Sequence, residues 1–361
     1  MSVARDTQKL IQAAVEALRS GELVAFPTET VYGLGANASD PAAVRKIFDL
    51  KGRPSDHPVI VHIDDKKHLQ RWAQDLPPEA QALAAAFWPG PLTLVLNRAP
   101  AVNDIITGGQ DTIAIRIPSH PIARQLLTAF GGGIAAPSAN RYGHVSPTRA
   151  DHVREEFGKA LKHVLDGGDC KIGLESTIVL CTGAAPRLLR PGSITLSQLR
   201  AIVPSVVGGV DPSAPRAPGD KPRHYSPKTP VTLVPGRRLV DVMREFTDEK
   251  EKVAVLSLRP PSTANRYMTW INAGGRHEAY ARNLYAYLRT LDKVGAKVIL
   301  IEEVPAGEQW EAVRDRLKRA ASKDAPAEQP VVDLRDAPLT PSQELAMLHD
   351  DSASRSFAAN P

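Results

Sequence analysis

Apolar and polar residues follow a pattern that switches repeatedly between helix and strand periods along the first 200 positions. Apolar side chains between Leu10 and Leu18 recur at helical spacing, which predicts an opening helix over residues 6–20. Further helices are predicted at 42–50, 79–88 and 121–130. Short apolar runs predict strands at 23–26, 59–63, 92–96, 112–117, 134–136, 164–166, 177–181 and 187–189. Because strands and helices mix without strict alternation, we expect an α/β fold with a twisted mixed sheet and flanking helices.

The pattern changes at residues 206–230, where prolines and glycines are dense. Proline at this density excludes helix interiors and central strands, so we interpret this segment as a linker arm. Beyond it, strands at 231–234, 253–258 and 297–301 alternate with helices at 241–246, 279–294 and 310–322. This alternation favours a small parallel α/β, Rossmann-like domain. The predicted organisation is a first domain over 1–205, the arm over 206–230, a second domain over 231–323, and a partly disordered tail over 324–361 with a candidate edge strand at 331–334.

Composition limits the function classes. The chain carries 45 Lys and Arg against 40 Asp and Glu, a net charge of +5, which suits an enzyme of anionic substrates or a weak nucleic-acid binder. Cys170 and Cys181 lack the spacing of a zinc site or a disulfide framework. The first ten residues contain no apolar signal segment, and no run approaches the ~20 apolar residues of a membrane span. We therefore expect a soluble cytoplasmic protein without membrane contact.

One glycine motif is misleading. Residues 33–38 (GLGANA) fit the dinucleotide-binding pattern GxGxxG/A and follow a predicted strand. That fingerprint needs its glycines in the turn directly after the strand, opening a helix. Here residues 27–32 intervene and no clear helix begins at Gly35, so we interpret the glycines as allowing a tight loop.

Other polar groups lie at the ends of apolar strands, where ligands commonly bind. Lys51 and Arg53 follow a predicted helix end, where they either compensate its carbonyls or clamp a phosphate. Arg116 stands on a strand among apolar neighbours, so it is either an edge residue or an anion receptor, and we favour the receptor. Hydroxyl and amide groups at 138–148 can bind phosphate oxygens, although Ser146 also suits a helix cap. No single motif decides the function.

The combination of motifs resembles the threonylcarbamoyl-AMP synthase family, also called YrdC-like, in its longer two-domain form. The similarity covers residues 7–203 and is carried, in order, by FPTETVYGLGANA, KGRP, HPVIVHI, WPGPLTLVL, TIAIRIPSHP, AAPSAN, SPT, ESTI and LRPG. The arm adds KPRHYSP at residues 221–227, which matches a Lys-x-Arg/Lys-His-Tyr-x-Pro element of the longer form. The tail after Lys323 matches nothing in the family pattern.

The resemblance implies an L-threonylcarbamoyladenylate synthase, a nucleotidyltransferase that makes threonylcarbamoyl-AMP and pyrophosphate from L-threonine, bicarbonate and ATP for N6-threonylcarbamoyladenosine at tRNA position 37. It implies Lys51 and Arg53 as the catalytic pair. The implied ATP-binding residues are Lys51, Arg53, His57, Thr112, Ser138, Asn140, Ser146, Arg190, His224 and Tyr225. The implied threonine-binding residues are Thr30, His62, Arg116, Ala136 and Ser176. Mg²⁺ is expected to arrive with ATP rather than on protein side chains.

Two questions follow from the resemblance. A lid role for the arm is one hypothesis, because excluding water protects a hydrolytically fragile adenylate. Hand-off to the tRNA threonylcarbamoyl transferase is another, whereas direct tRNA binding is left open.

Two rival functions remain at this point. The first is an RNA-binding module of the same fold, although aromatic residues make up only 5% of the chain and no RRM-type platform is visible. The second is a carbamoyl-adenylate enzyme of the kind used in hydrogenase maturation, whose acylphosphatase and zinc-finger-like segments are missing from this sequence.

Overall fold

The protein is described by a computed structural model covering residues 2–209, 211, 214–219, 224–262 and 264–322, with side chains from residue 6 onward. Three predictions lie outside these residues. They are the first part of the arm motif (221–223), the edge strand at 331–334 and the tail over 324–361. The division at 205/206 and 230/231 stays a prediction.

The first part of the chain forms a mixed sheet with nine described strands. The strands are β1 (Val24–Phe26), β2 (Gly33–Asn37), β3 (Ile60–His62), β4 (Leu92–Asn97), β5 (Thr112–Arg116), β6 (Ile134–Ala135), β7 (His163–Val164), β8 (Thr177–Leu180) and β9 (Arg187–Arg190). Their spatial order is β7-β1-β2-β6-β3-β5-β4-β8-β9. The helices beside this sheet are α1 (Ser2–Arg19), α2 (Pro41–Lys51), α3 (Pro78–Phe87), α4 (Asp104–Thr107), α5 (Pro121–Phe130), α6 (Ala150–Phe157) and α7 (Leu196–Ile202). The predicted mixed α/β sheet is therefore confirmed.

Strand β5 occupies the middle of this sheet, where it pairs in parallel with β3 and antiparallel with β4. The register places Arg116 directly between His62 of β3 and Thr93 of β4. Residues that are partners across neighbouring strands point to the same face. The alternative in which Arg116 is an edge residue is thus wrong, and its guanidinium is held in the sheet interior beside a buried histidine.

Helix α2 delivers two cations to one end of this sheet. Asp40 caps the helix by accepting from the backbone N–H groups of Ala42 and Ala43. Gly52 ends it in the left-handed conformation, φ 63°, which glycine adopts without steric cost. This sharp stop leaves Lys51 on the last turn and Arg53 just beyond it.

The predicted tight loop at 33–38 is wrong, because residues Gly33–Asn37 form strand β2 between β1 and β6. Gly35 is required by a close approach: a Cβ atom there would lie 2.8 Å from both the Phe26 and the Ile134 side chains. Strand geometry at these glycines also agrees with rejecting a dinucleotide-binding turn.

The second part of the chain forms a separate sheet of four described strands, all parallel, in the order β10-β13-β11-β12. These strands are β10 (Val231–Val234), β11 (Val253–Ser257), β12 (Met268–Asn272) and β13 (Val298–Glu302), and the helices are α8 (Leu239–Asp248), α9 (His277–Asp292) and α10 (Glu311–Ala320). The predicted small parallel α/β unit is confirmed, although β12 was not predicted. Helix α9 contributes Tyr280 and Leu284 to an apolar cluster that also contains Val31 and Leu174 of the first part, so the two parts share a buried contact.

Candidate active site

A cavity of about 50 Å³ opens beside the C-terminal ends of β3 and β5. Ten of the predicted site residues line it. They are Thr30, Arg53, His62, Arg116, Ala136, Ser138, Ser176, Arg190, His224 and Tyr225. The wall also includes Thr28, Glu175, Pro218 and Gly219. Residues from three strand ends and from the arm therefore converge on one small space.

Arg116 anchors one wall of the cavity. Its Nη2 donates to Glu29 Oε1 at 2.6 Å and its Nη1 donates to Thr30 Oγ1 at 2.8 Å. Both members of the ion pair are almost fully buried. Burial would raise the pKa of Glu29, but the adjacent Arg116 charge holds it below its ordinary value. The guanidinium is thus fixed in orientation by the loop that follows β1.

His62 and Ser176 extend the same wall. Burial, reinforced by the neighbouring Arg116 charge, lowers the pKa of His62 to about 3, so this imidazole is neutral at physiological pH. Its ring packs edge-on against Phe26, with 5.9 Å between centroids. The Ser176 hydroxyl lies 2.8 Å from that of Thr93. These groups offer neutral hydrogen-bonding atoms next to a fixed cation, a combination that suits a zwitterionic ligand.

Lys51 does not line the cavity itself but contacts the backbone of a residue that does. Its Nζ donates to the carbonyl of Ser138 at 2.7 Å and to the carbonyl of Asn140. Burial, followed by the nearby Arg53 charge, lowers the pKa of Lys51 well below its ordinary value. Neither carbonyl carries a full negative charge, so the ammonium is stabilised further when an anion enters the cavity.

Arg190 connects the cavity lining to the arm. Its Nη1 donates to the Pro218 carbonyl at 2.7 Å, and its Nη2 donates to the Ser176 hydroxyl at 3.1 Å. Burial, followed by the Arg316 charge, lowers the pKa of Arg190. One guanidinium therefore contacts both the arm and the wall that bears Ser176.

The arm continues across the cavity through His224 and Tyr225. Burial and the charges of Arg53 and Lys51 depress the pKa of His224 well below its ordinary value, so the ring is neutral. The two rings meet edge to face, with 4.0 Å between centroids. Across the described residues, His224 Nδ1 has no hydrogen-bond partner although it is buried. A buried polar atom in this position is suited to contact a ligand.

The structure places five predicted residues outside the cavity lining. They are Lys51, His57, Thr112, Asn140 and Ser146. Asn140 and Ser146 are buried close by, and the Tyr142 hydroxyl connects to His57 Nδ1 at 3.4 Å. Thr112 begins β5 and lies four residues from Arg116, about 13 Å along the strand. A nucleotide reaching from Lys51 to Thr112 would have to extend along the sheet, and the role of Thr112 stays a prediction.

Sequence reasoning assigned no role to three charged residues that shape this site. Glu29 pairs with Arg116, and Glu175 on the cavity wall pairs with Arg316 of α10. Each pair is separated by more than 80 positions in the chain. The carboxylates in FPTETV and ESTI were visible as polar groups at strand ends, but their partners could not be assigned without the fold.

No cluster of three or more His, Cys, Asp or Glu residues suited to hold a metal occurs in the described ranges. Similarly, none of the described helices combines the length and apolar character needed to cross a membrane.

Comparison with known proteins defines the class to which this fold and site belong. A family profile described as "Telomere recombination" (Sua5/YciO/YrdC) matches residues 16–192, and one described as "Threonylcarbamoyl-AMP synthase, C-terminal domain" matches residues 194–322. The threonylcarbamoyl-AMP synthase of Pyrococcus abyssi is 42% identical over 86% of this chain and 94% of its own length. The enzyme of the same name from Bacillus subtilis is 40% identical over 86% of this chain and 92% of its own length.

The comparison with solved structures agrees with the comparison of sequences. The crystal structure of P. abyssi Sua5 complexed with L-threonine superposes with a TM-score of 0.81 at 42% identity, covering 86% of this chain and 94% of that chain. This chain belongs to the threonylcarbamoyl-AMP synthase family of enzymes, in its two-domain form.

Proposed function

We propose that this protein is an L-threonylcarbamoyladenylate synthase, a nucleotidyltransferase that converts L-threonine, bicarbonate and ATP into threonylcarbamoyl-AMP and pyrophosphate. The observation that carries the proposal is the convergence of two kinds of groups on one cavity. Arg116 and neutral His62 line the cavity together with the cations Arg53 and Arg190, and Lys51 hydrogen-bonds to the backbone of the lining residue Ser138. The L-threonine complex of P. abyssi Sua5 supports threonine as a substrate, and the name threonylcarbamoyl-AMP synthase of the relatives supports the product.

Threonine is expected to bind at the wall built on Arg116. The two Nη atoms already donate to Thr30 and Glu29, but each keeps one further N–H group that can be offered to the amino acid's carboxylate. Thr30, Ser176 and the Ala136 backbone provide hydrogen-bonding groups around it, and neutral His62 adds no competing positive charge near the substrate's amine. The strand pairing beneath them keeps these groups in a fixed arrangement.

The reaction needs positioning and charge neutralisation rather than a protein nucleophile. The threonine amine adds to bicarbonate with loss of water and gives a carbamate. A carbamate oxygen then forms a bond to the α-phosphorus of ATP while the bond to the β-phosphate oxygen breaks, and pyrophosphate leaves. Lys51, Arg53 and Arg190 would stabilise the negative charge on the phosphates. Mg²⁺ would enter as part of the MgATP substrate.

The arm is proposed to act as a lid over the bound nucleotide. Pro218, Gly219, His224 and Tyr225 already line the cavity, and Arg190 donates to the Pro218 carbonyl. A segment in this position excludes water from the adenylate and keeps it intact until release. The product would then pass to the tRNA threonylcarbamoyl transferase, in the cytoplasm.

The direct test is turnover by the purified protein with labelled bicarbonate, MgATP and individual amino acids. We expect a labelled adenylate and one pyrophosphate per product with L-threonine. Salt-sensitive RNA binding with no adenylate for any amino acid would refute the synthase and support the RNA-binding alternative, which no observation at this site favours.

A further inference from the structure

Arg316 lies on helix α10 of the second part of the chain, yet its side chain ends at the wall of the cavity. It is fully buried, and its Nε donates to Glu175 Oε2 at 2.8 Å. Glu175 precedes β8 in the first part of the chain and lines the cavity. This ion pair, which joins residues 141 positions apart, connects α10 with the proposed active site.

The same arginine supports the arm. Its Cζ lies 5.3 Å from the centre of the Tyr225 ring, a cation–π distance. Tyr225 also stacks on Tyr285 of α9, with 5.8 Å between centroids. The backbone of Tyr225 has φ 60°, a conformation that costs a non-glycine residue free energy and persists only where the surroundings enforce it. Arg316 and Tyr285 provide those surroundings.

Glu175 needs a nearby positive charge because it is a buried carboxylate beside a proposed triphosphate site. Burial would raise its pKa, but the charge of Arg316, followed by that of Arg190, holds the pKa below its ordinary value. The groups that face Glu175 are Arg316 of α10, Tyr285 of α9, Arg190 of β9, Tyr225 of the arm and the Ser146 hydroxyl. The Tyr285 hydroxyl donates to Glu175 Oε2 at 2.8 Å. Arg316 supplies the first of the charges that offset burial.

We infer that Arg316 is a positioning residue for ATP binding, which acts from the second part of the chain by neutralising Glu175 and holding Tyr225 over the nucleotide. The inference rests on the proposed function, because it assumes that MgATP occupies this cavity. It gives the second α/β unit a definite role in the site without any contact between that unit's sheet and the substrate.

Opposite effects of the two partner substitutions distinguish this role from a structural one. Arg316→Met leaves a buried negative charge that repels the triphosphate, so the Kd for MgATP should rise about tenfold or more. Glu175→Gln removes the carboxylate beside the cavity and leaves Arg316 paired with Asp315 at 2.6 Å, so MgATP should bind at least as tightly as to the wild type. The double variant Glu175→Gln/Arg316→Met should fall between the two single variants.

The pH dependence gives a second readout. In Arg316→Met, Glu175 keeps only the weaker compensation from Arg190, so burial raises its pKa and protonation then removes the repulsion. The ratio of variant to wild-type Kd should therefore shrink as the pH falls from 8 to 6. Lys318→Met on the same helix removes an exposed charge and serves as the control, with an expected ratio near one at every pH.

MgATP binding is measured by titration calorimetry without threonine or bicarbonate. Circular dichroism confirms that each variant is folded, and adenylate formation by the wild type is followed in parallel. Equal weakening in Arg316→Met and Glu175→Gln would overturn the inference in favour of simple loosening of the fold, and so would unchanged affinity in both. If Arg316→Met does not fold, the double variant is compared with Glu175→Gln, and tighter or equal binding by the double variant overturns the inference. Absence of adenylate formation by the wild type would instead refute the proposed function.

Discussion

The charged side chains at this site are buried, and they differ in how their charge is compensated. Arg116 and Glu29 share a buried ion pair, whereas Lys51 has only carbonyl partners among its described hydrogen bonds and a strongly lowered pKa. A buried cation with incomplete compensation is a receptor for an anion. The two cations therefore differ: Arg116 is neutralised and oriented by a carboxylate, whereas the described hydrogen bonds of Lys51 end on uncharged carbonyls.

The first prediction concerns the cations Lys51 and Arg53. Lys51→Met and Arg53→Ala should each lower kcat/KM for ATP about 100-fold, on the order of 3 kcal/mol, because each removes a charge-assisted contact made in the transition state. Pyrophosphate release at varied MgATP is the measurement. Arg45→Ala removes an exposed charge from the same helix and should leave the rate unchanged. Full activity of both Lys51→Met and Arg53→Ala would contradict the proposal that these residues bind the phosphates of ATP.

Sequence reasoning picked out ten residues that line the cavity, but it did not predict their charged partners. Alternation along 112–117 separated Arg116 from its apolar neighbours, and the strand ends marked the loops that carry Thr30 and Ser176. The partner of Arg116 is 87 positions away at Glu29, and no local spacing encodes that pairing. The same alternation grouped Thr112 with Arg116 on one face, and the two residues stand at opposite ends of the strand.

Helices and strands were predicted where apolar runs or helical spacing were continuous. Helix α5 and strand β10 have the predicted bounds, and the other predicted elements differ by a few residues at their ends, whereas helices α4 and α7 were not predicted. Strand β2 was missed because glycines disfavour strands on propensity, and here the packing of Phe26 and Ile134 against Gly35 outweighs that preference. Strand β12 was missed because it is only partly buried and has no clear alternation.

Strand β2 gives a stability prediction. Gly35→Ala introduces a Cβ atom 2.8 Å from the side chains of Phe26 and Ile134, so these buried side chains must shift. We expect a loss of about 1–3 kcal/mol in the free energy of unfolding, measured by urea denaturation. Gly183→Ala, where no atom lies within 4 Å, is the matched control. Equal stability of Gly35→Ala and the wild type would show that this close approach is not a constraint.

The arm gives a prediction about motion. If residues 214–219 and 224–226 close over the nucleotide, MgATP should slow amide hydrogen exchange there, because opening of the arm then requires loss of the ligand contacts. The comparison is between free and MgATP-bound protein by mass spectrometry, with α8 as the internal control. An arm whose exchange is the same in both states does not act as a lid.

At the scale of the whole molecule, one buried and one partly buried ion pair connect the two α/β units. Arg316 reaches Glu175, and Arg289 of α9 donates to Glu156 of α6 at 2.9 Å. Since breaking one partner of a buried pair is costly, the second unit supports the walls of the cavity in the first. Composition could indicate two domains and a basic balance, but this coupling depends on pairs that are distant in the sequence.

The central claim is that one cavity holds an amino acid at Arg116 and a triphosphate next to Lys51 and Arg53. A crystal structure with L-threonine and a non-hydrolysable MgATP analogue tests it most directly. We predict the threonine carboxylate within hydrogen-bonding distance of the Arg116 guanidinium and phosphate oxygens contacting Lys51 and Arg53, with the arm above them. Ligands bound at separate places on the molecule, or a nucleotide far from Lys51 and Arg53, would contradict the account.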